Sequence, residues 1–141
     1  MEDRYLFKAK IMDNGEWVIG YMVIIAKINY YICPGKLKTA SIDTAQLIPQ
    51  MHKVDGSTIC QCTGLKDKNG KLIFEDDILS GHIDDEFPEN ETRKRVVWYE
   101  NGWCTREDGC IDYDELDDFD SENFKVCGNK FDNPELLESE E

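Results

Sequence analysis

A chain of 141 residues with 30 acidic against 16 basic side chains carries a formal charge of −14. That balance opposes direct binding to nucleic acid or anionic membrane, because both need cationic surface. The length predicts one domain, over residues 1–137 with a frayed acidic tail at 138–141, large enough to fold without metals or disulfides.

The opening residues 1–10 hold no apolar core of signal-peptide length. The longest apolar run, 17–26, is shorter than the roughly 20 residues of a membrane helix. A cytoplasmic protein is expected, with its six cysteines reduced. Runs rich in β-branched and aromatic residues follow at 5–11, 17–25, 28–33, 57–63, 71–79, 95–99 and 124–127. Turn signals separate many of them: Asp13-Asn14-Gly15, Pro34-Gly35, Asn69-Gly70, Asn101-Gly102 and Asp132-Asn133-Pro134. Hairpins are predicted about Asp13-Asn14-Gly15 and Asn101-Gly102, with aromatics beside each tip. Helix is sparse. Short pieces are expected at 43–50, at 113–119, and after Asn133-Pro134, where Asn caps and Pro occupies the first helical position. Residues 81–94 read as a polar loop, and residues 107–122 hold nine acids and no base.

The candidate chemistries are few. The acidic segment lacks the spacing of a calcium loop. It reads as a solvated loop or frayed helix anchored by Ile111, Tyr113, Leu116 and Phe119. On a strand Cys60 and Cys62 share one face, so zinc would need them joined by Cys104, Cys110, Cys127 or a histidine. Neither of the two Cys-x2-Cys knuckles usual for zinc is present, and small buried thiols are the plainer reading. His52 and His82 have no nucleophile at a recognisable spacing. The stretch Gly64-Leu65-Lys66-Asp67-Lys68-Asn69-Gly70 lacks the Lys-Ser/Thr of a phosphate loop, so its glycines read as turn formers. Glu75, Asp76 and Asp77 are neighbours along a strand, which points Asp76 and Asp77 to opposite faces and argues against paired-carboxylate catalysis. No catalytic residue, cofactor or metal is assigned.

The segment Thr63-Gly64-Leu65-Lys66-Asp67-Lys68-Asn69-Gly70, continuing through Ile73, Asp77 and Ile78, resembles the hallmark of the YopX-like family of bacteriophage and prophage proteins. The tail Gly128-Asn129, then Asn133-Pro134-Glu135-Leu136-Leu137, resembles the family's ending, and Phe7-Lys8-Ala9-Lys10 with Trp17-Val18-Ile19-Gly20 fits its opening. Asp76 stands where the family has Gly, which puts a positive φ at that position in doubt. The resemblance implies a mainly β fold, a small barrel-like or sandwich domain of bent antiparallel strands with one or two short helices. It brings no established activity. In this reading Asp67 and Asn69 bond the loop backbone, Gly64 and Gly70 supply unusual dihedrals, and Leu65, Leu72, Ile73 and Ile78 reach the core. The loop then either serves structure alone or displays Lys66, Asp67, Lys68 and Asn69 to a partner.

The expected function is that of a phage accessory protein, a non-enzymatic protein-binding or structural module. Its partner would be a protein, basic in surface, or a second copy of the chain. The alternative is an acidic decoy that imitates nucleic acid and occupies a basic site. An enzyme or metal protein assembled from dispersed residues is the third class.

Overall fold

A computed structural model describes residues 3–34, 51–82, 91–107 and 110–137. The chain forms two compact units, Met1–Cys62 and Thr63–Glu141. It is mainly β, with two antiparallel sheets.

The first unit contains β1 (Phe7–Lys10), β2 (Trp17–Ile25), β3 (Asn29–Pro34), β4 (His52–Lys53) and the start of β5 (Cys60–Lys66), in the order β4-β3-β2-β1-β5. β1 and β2 pair from Phe7↔Gly20 to Lys10↔Trp17. The period-two alternation of a strand buries Val18 and Gly20 while Ile19 faces out. Ala9, Val18, Ile32 and Val54 form the core, with Phe7, Ile11, Tyr30 and Ile59 packed against it. Gly15 takes positive φ in the turn that joins β1 to β2, and the Lys8 and Lys10 ammoniums lie 4.9 and 5.4 Å from the Trp17 ring. The turn from β2 to β3 places Ala26 and Lys27 at φ 57° and 67°, although neither residue type announces a left-handed conformation.

In the second unit β5 continues beside β6 (Leu72–Phe74). The other sheet runs β10 (Asp114–Glu115), β9 (Gly102–Arg106), β8 (Thr92–Tyr99), β7 (Asp77–Gly81) and β11 (Phe124–Asn129). One α-helix is present among the described residues, α1 (Asp118–Asn123), and a 3-10 turn spans Pro134–Leu137. Ile73, Leu79, Val96, Leu116 and Phe124 are the core, with Leu65, Trp103 and Val126 against it. Trp98 meets Trp103 edge to face across β8 and β9, centroids 5.0 Å apart.

Several expectations change. Neither sheet closes among the described residues, so the barrel alternative does not hold. The run 71–79 is two strands, because Glu75 and Asp76 turn the chain between β6 and β7. The helix expected at 113–119 starts at Asp118, after a short strand, because Asp117 and Asp120 form a reciprocal capping box there. The β8–β9 tip is Glu100-Asn101, since Tyr99 pairs with Gly102. The helix expected at 43–50, most of the 81–94 loop and the tail at 138–141 lie outside the described residues.

Candidate functional site

The hallmark loop is built around one carboxylate. Asp67 is only 5% exposed. Its Oδ1 accepts the backbone N–H of Asn69 and of Lys71, both at 2.9 Å, and its Oδ2 accepts that of Val126 at 2.8 Å. Main-chain bonds from Asp67 N to Lys71 O, Gly70 N to Asp67 O and Lys68 N to Phe124 O complete the loop. Gly64 and Gly70 take φ of 86° and 83°, and the Thr63 hydroxyl donates to Ile73 O while accepting from Leu65 N. The bonds to Phe124 and Val126 satisfy backbone groups of β11, the edge strand, which an uncovered edge would leave open. Burial alone would raise the Asp67 pKa. The three backbone donors and the nearby Lys71 ammonium outweigh it and hold the carboxyl below its ordinary value.

Of the four residues expected at the loop surface, Lys66, Lys68 and Asn69 are exposed and Asp67 is turned inward. Leu65 and Leu72 are half-buried, and Ile73 and Ile78 fully buried.

Asp76 and Asp77 differ sharply. Asp76 does adopt positive φ, 66°, so the doubt raised by the missing glycine is resolved against expectation. Its backbone is held on both sides, N to Val96 O and O from Lys130 N, and its carboxylate lies 3.7 Å from the Lys130 ammonium. Asp77 is buried and its Oδ2 accepts from Phe74 N at 2.8 Å. In the tail motif, Asn129 Oδ1 accepts from Phe131 and Asp132 N, and Asn133 Oδ1 accepts from Asn129 N. A Cβ on Gly128 would sit 2.5 Å from that Asn133 oxygen, so the close approach needs glycine. Asn133 O in turn accepts from Leu136 N, starting the Pro134–Leu137 turn.

The acidic segment is anchored otherwise than expected. Leu116 is buried, but Ile111 is 85% exposed and Phe119 47% exposed, while Tyr113 stacks on Tyr99 at 3.9 Å. The main fixture is polar. Asp120 is buried and meets the Lys94 ammonium at 2.7 Å, and that ammonium lies 4.3 Å from the centre of the Phe124 ring. A lysine on β8 and an acid 26 residues later carry no local sequence signal for this pairing. Asp112, Asp114, Glu115, Asp117, Asp118 and Glu122 remain exposed on the short strand, the helix and their flanks.

Cys33, Cys60 and Cys62 are buried, Cys104 half-buried, and Cys110 and Cys127 exposed. Burial and neighbouring carboxylates push the thiols of Cys104 and Cys110 up, as burial does for Cys127, which keeps all three protonated near neutral pH. His52 and His82 are exposed. Among the described residues no three His, Cys, Asp or Glu side chains converge.

A pocket of about 160 Å³ opens on the second unit, lined by Arg95, Arg106, Glu107 and Leu137. Arg95 and Arg106 are direct cross-strand partners on β8 and β9. Sequence reading missed this pair, whose only signal is the β8–β9 register.

A family model described as YopX protein matches residues 14–138. The crystal structure of protein EF1440 from Enterococcus faecalis is similar to this chain with a TM-score of 0.52 at 23% identity, over 94% of this chain and 96% of that one. That likeness is one of fold. No curated protein matches the sequence. Among the described residues no helix is long and apolar enough to cross a membrane.

Proposed function

This chain belongs to the YopX protein family, and from that premise we propose that it is a phage or prophage accessory protein acting in the host cytoplasm as a non-enzymatic protein-binding module. The observation that carries this reading is the 63–70 loop, fixed from within by Asp67 and exposing Lys66, Lys68 and Asn69. A loop already held in one conformation loses little entropy when a partner docks on it, which favours recognition. The net charge of −14 attracts a basic partner at long range, and a second copy of the chain is the other candidate. The test is affinity purification from infected cells with the wild type and with a Lys66→Ala/Lys68→Ala/Asn69→Ala variant of unchanged Tm. The variant should lose a partner that the wild type retains. Equal recovery by both would count against the loop.

A second reading has its own support. Asp112, Asp114, Glu115, Asp117, Asp118 and Glu122 are exposed on the short strand, the helix and their flanks, an array that suits an acidic decoy for a nucleic-acid-binding site. In that case the captured partner should release the chain when duplex DNA is added, and replacement of the six acids by their amides should abolish capture.

A further inference from the structure

We propose that the pocket between Arg95 and Arg106 binds an aliphatic carboxylate, with the carboxylate on the two guanidiniums and the hydrocarbon against Leu137. This inference stands apart from the loop-docking reading and rests on different residues.

The register of β8 and β9 sets Arg95 directly opposite Arg106. Like charges at that position repel and weaken a sheet. On the same strand two other cations are matched by acids: Arg93 pairs with Glu91 at 3.2 Å and Lys94 with Asp120 at 2.7 Å. Arg106 is held instead by neutral groups. Its Nε donates to Cys110 O at 2.7 Å, one terminal nitrogen donates to the Tyr113 hydroxyl at 3.4 Å, and the guanidinium carbon lies 5.3 Å from the centre of the Tyr113 ring. These contacts orient Arg106 without neutralising it. Among the described residues neither guanidinium has a carboxylate within ion-pair distance. In a chain of charge −14, two facing cations on the wall of a pocket are an arrangement that an oxyanion would stabilise.

The remaining walls narrow the class. Guanidiniums present forked donors that match carboxylate and phosphate alike. Glu107 adds one negative charge to the lining, so the described lining residues sum to a single positive charge. That favours a monoanion over a dianion such as phosphate. Leu137 gives the site an apolar side, suited to a short hydrocarbon next to the charge. The same chemistry is offered by a free branched-chain acid and by the C-terminus of a polypeptide ending in an aliphatic residue.

The experiment is an NMR titration of the full chain with isovalerate, with inorganic phosphate, and with a short peptide ending in leucine as the free acid or the amide. Isovalerate should bind in the millimolar range that so small a ligand allows, with shifts concentrated at residues 95, 106 and 137. Arg95→Gln should weaken it at least tenfold while leaving Tm unchanged or higher, because one of two facing charges is gone. Leu137→Ser should weaken isovalerate more than acetate, a readout that survives if Arg95→Gln does not fold. Binding of the free-acid peptide but not the amide would support the same site and extend it to chain ends; binding of isovalerate alone would support it and assign it to small acids. No saturable shift with any carboxylate, tighter binding of phosphate than of isovalerate, or a fall in Tm of Arg95→Gln without loss of affinity would each overturn the proposal.

Discussion

Asp67 does the work that its loop was expected to share among several residues. Three backbone N–H groups converge on it, one of them 59 residues away in sequence. Asp67→Ala would leave those donors unsatisfied and should cost about 3 kcal/mol, read by urea unfolding, with faster amide exchange at Val126. Its pH behaviour has a definite sign. The folded-state pKa lies below the unfolded one, so the contribution is full above the unfolded value, about 3.9, and is lost as pH falls through the folded value. The stability gap between wild type and Asp67→Asn should therefore be constant near neutrality and shrink below about pH 4. Asp120 meets a charged side chain where Asp67 meets backbone. Asp120→Asn leaves the Lys94 ammonium buried against Phe124 without a counter-charge and should cost about 3 kcal/mol. Adding Lys94→Met should restore part of that loss, since it removes the buried ammonium that Asp120→Asn leaves without a counter-charge; chemical denaturation of the single and double variants gives the comparison. The loop role of Asp67 was legible in sequence because Asp bonds nearby backbone. Its bond to Val126 and the Lys94–Asp120 pair were not, because both depend on which distant strands become neighbours.

At the level of elements, strands were easier to read than turns. The β2 and β3 runs are plain from their β-branched and aromatic residues, yet the turn between them uses Ala26 and Lys27 at positive φ. Such conformations cost roughly 1–2 kcal/mol per ordinary residue. Ala26→Asn with Lys27→Gly should raise stability by about 1 kcal/mol, seen as a higher Tm with an unchanged far-UV circular dichroism spectrum. The β8–β9 hairpin shows what a turn decides. Its two-residue tip is Glu100-Asn101, where the Asn101-Gly102 signal sits one residue later. A tip at Asn101-Gly102 would have set Arg95 against Asp108, an opposite charge. The observed tip sets it against Arg106 and so creates the cationic pocket. The helix at Asp118 was misplaced for a related reason. Acid-rich sequence has weak helical pattern, and the start is fixed by the Asp117–Asp120 capping box and the Lys94 contact.

For the whole molecule, a charge of −14 means self-repulsion in the compact state. Raising sodium chloride from about 10 mM to about 500 mM shortens the screening length severalfold, so Tm should rise with salt. A falling Tm would show that attractive ion pairs dominate instead. The sequence by itself determined the β-rich class, the family, the turn glycines at 64 and 70 and the inward set of apolar residues, because alternation, turn chemistry and motif spacing are local properties of the chain. Only the tertiary structure decided that Asp67 closes the edge of β11, that Asp76 sits left-handed, that Asp120 answers Lys94, and that two arginines face each other at a pocket. Those outcomes depend on strand order and register, which bring together residues that no local pattern connects.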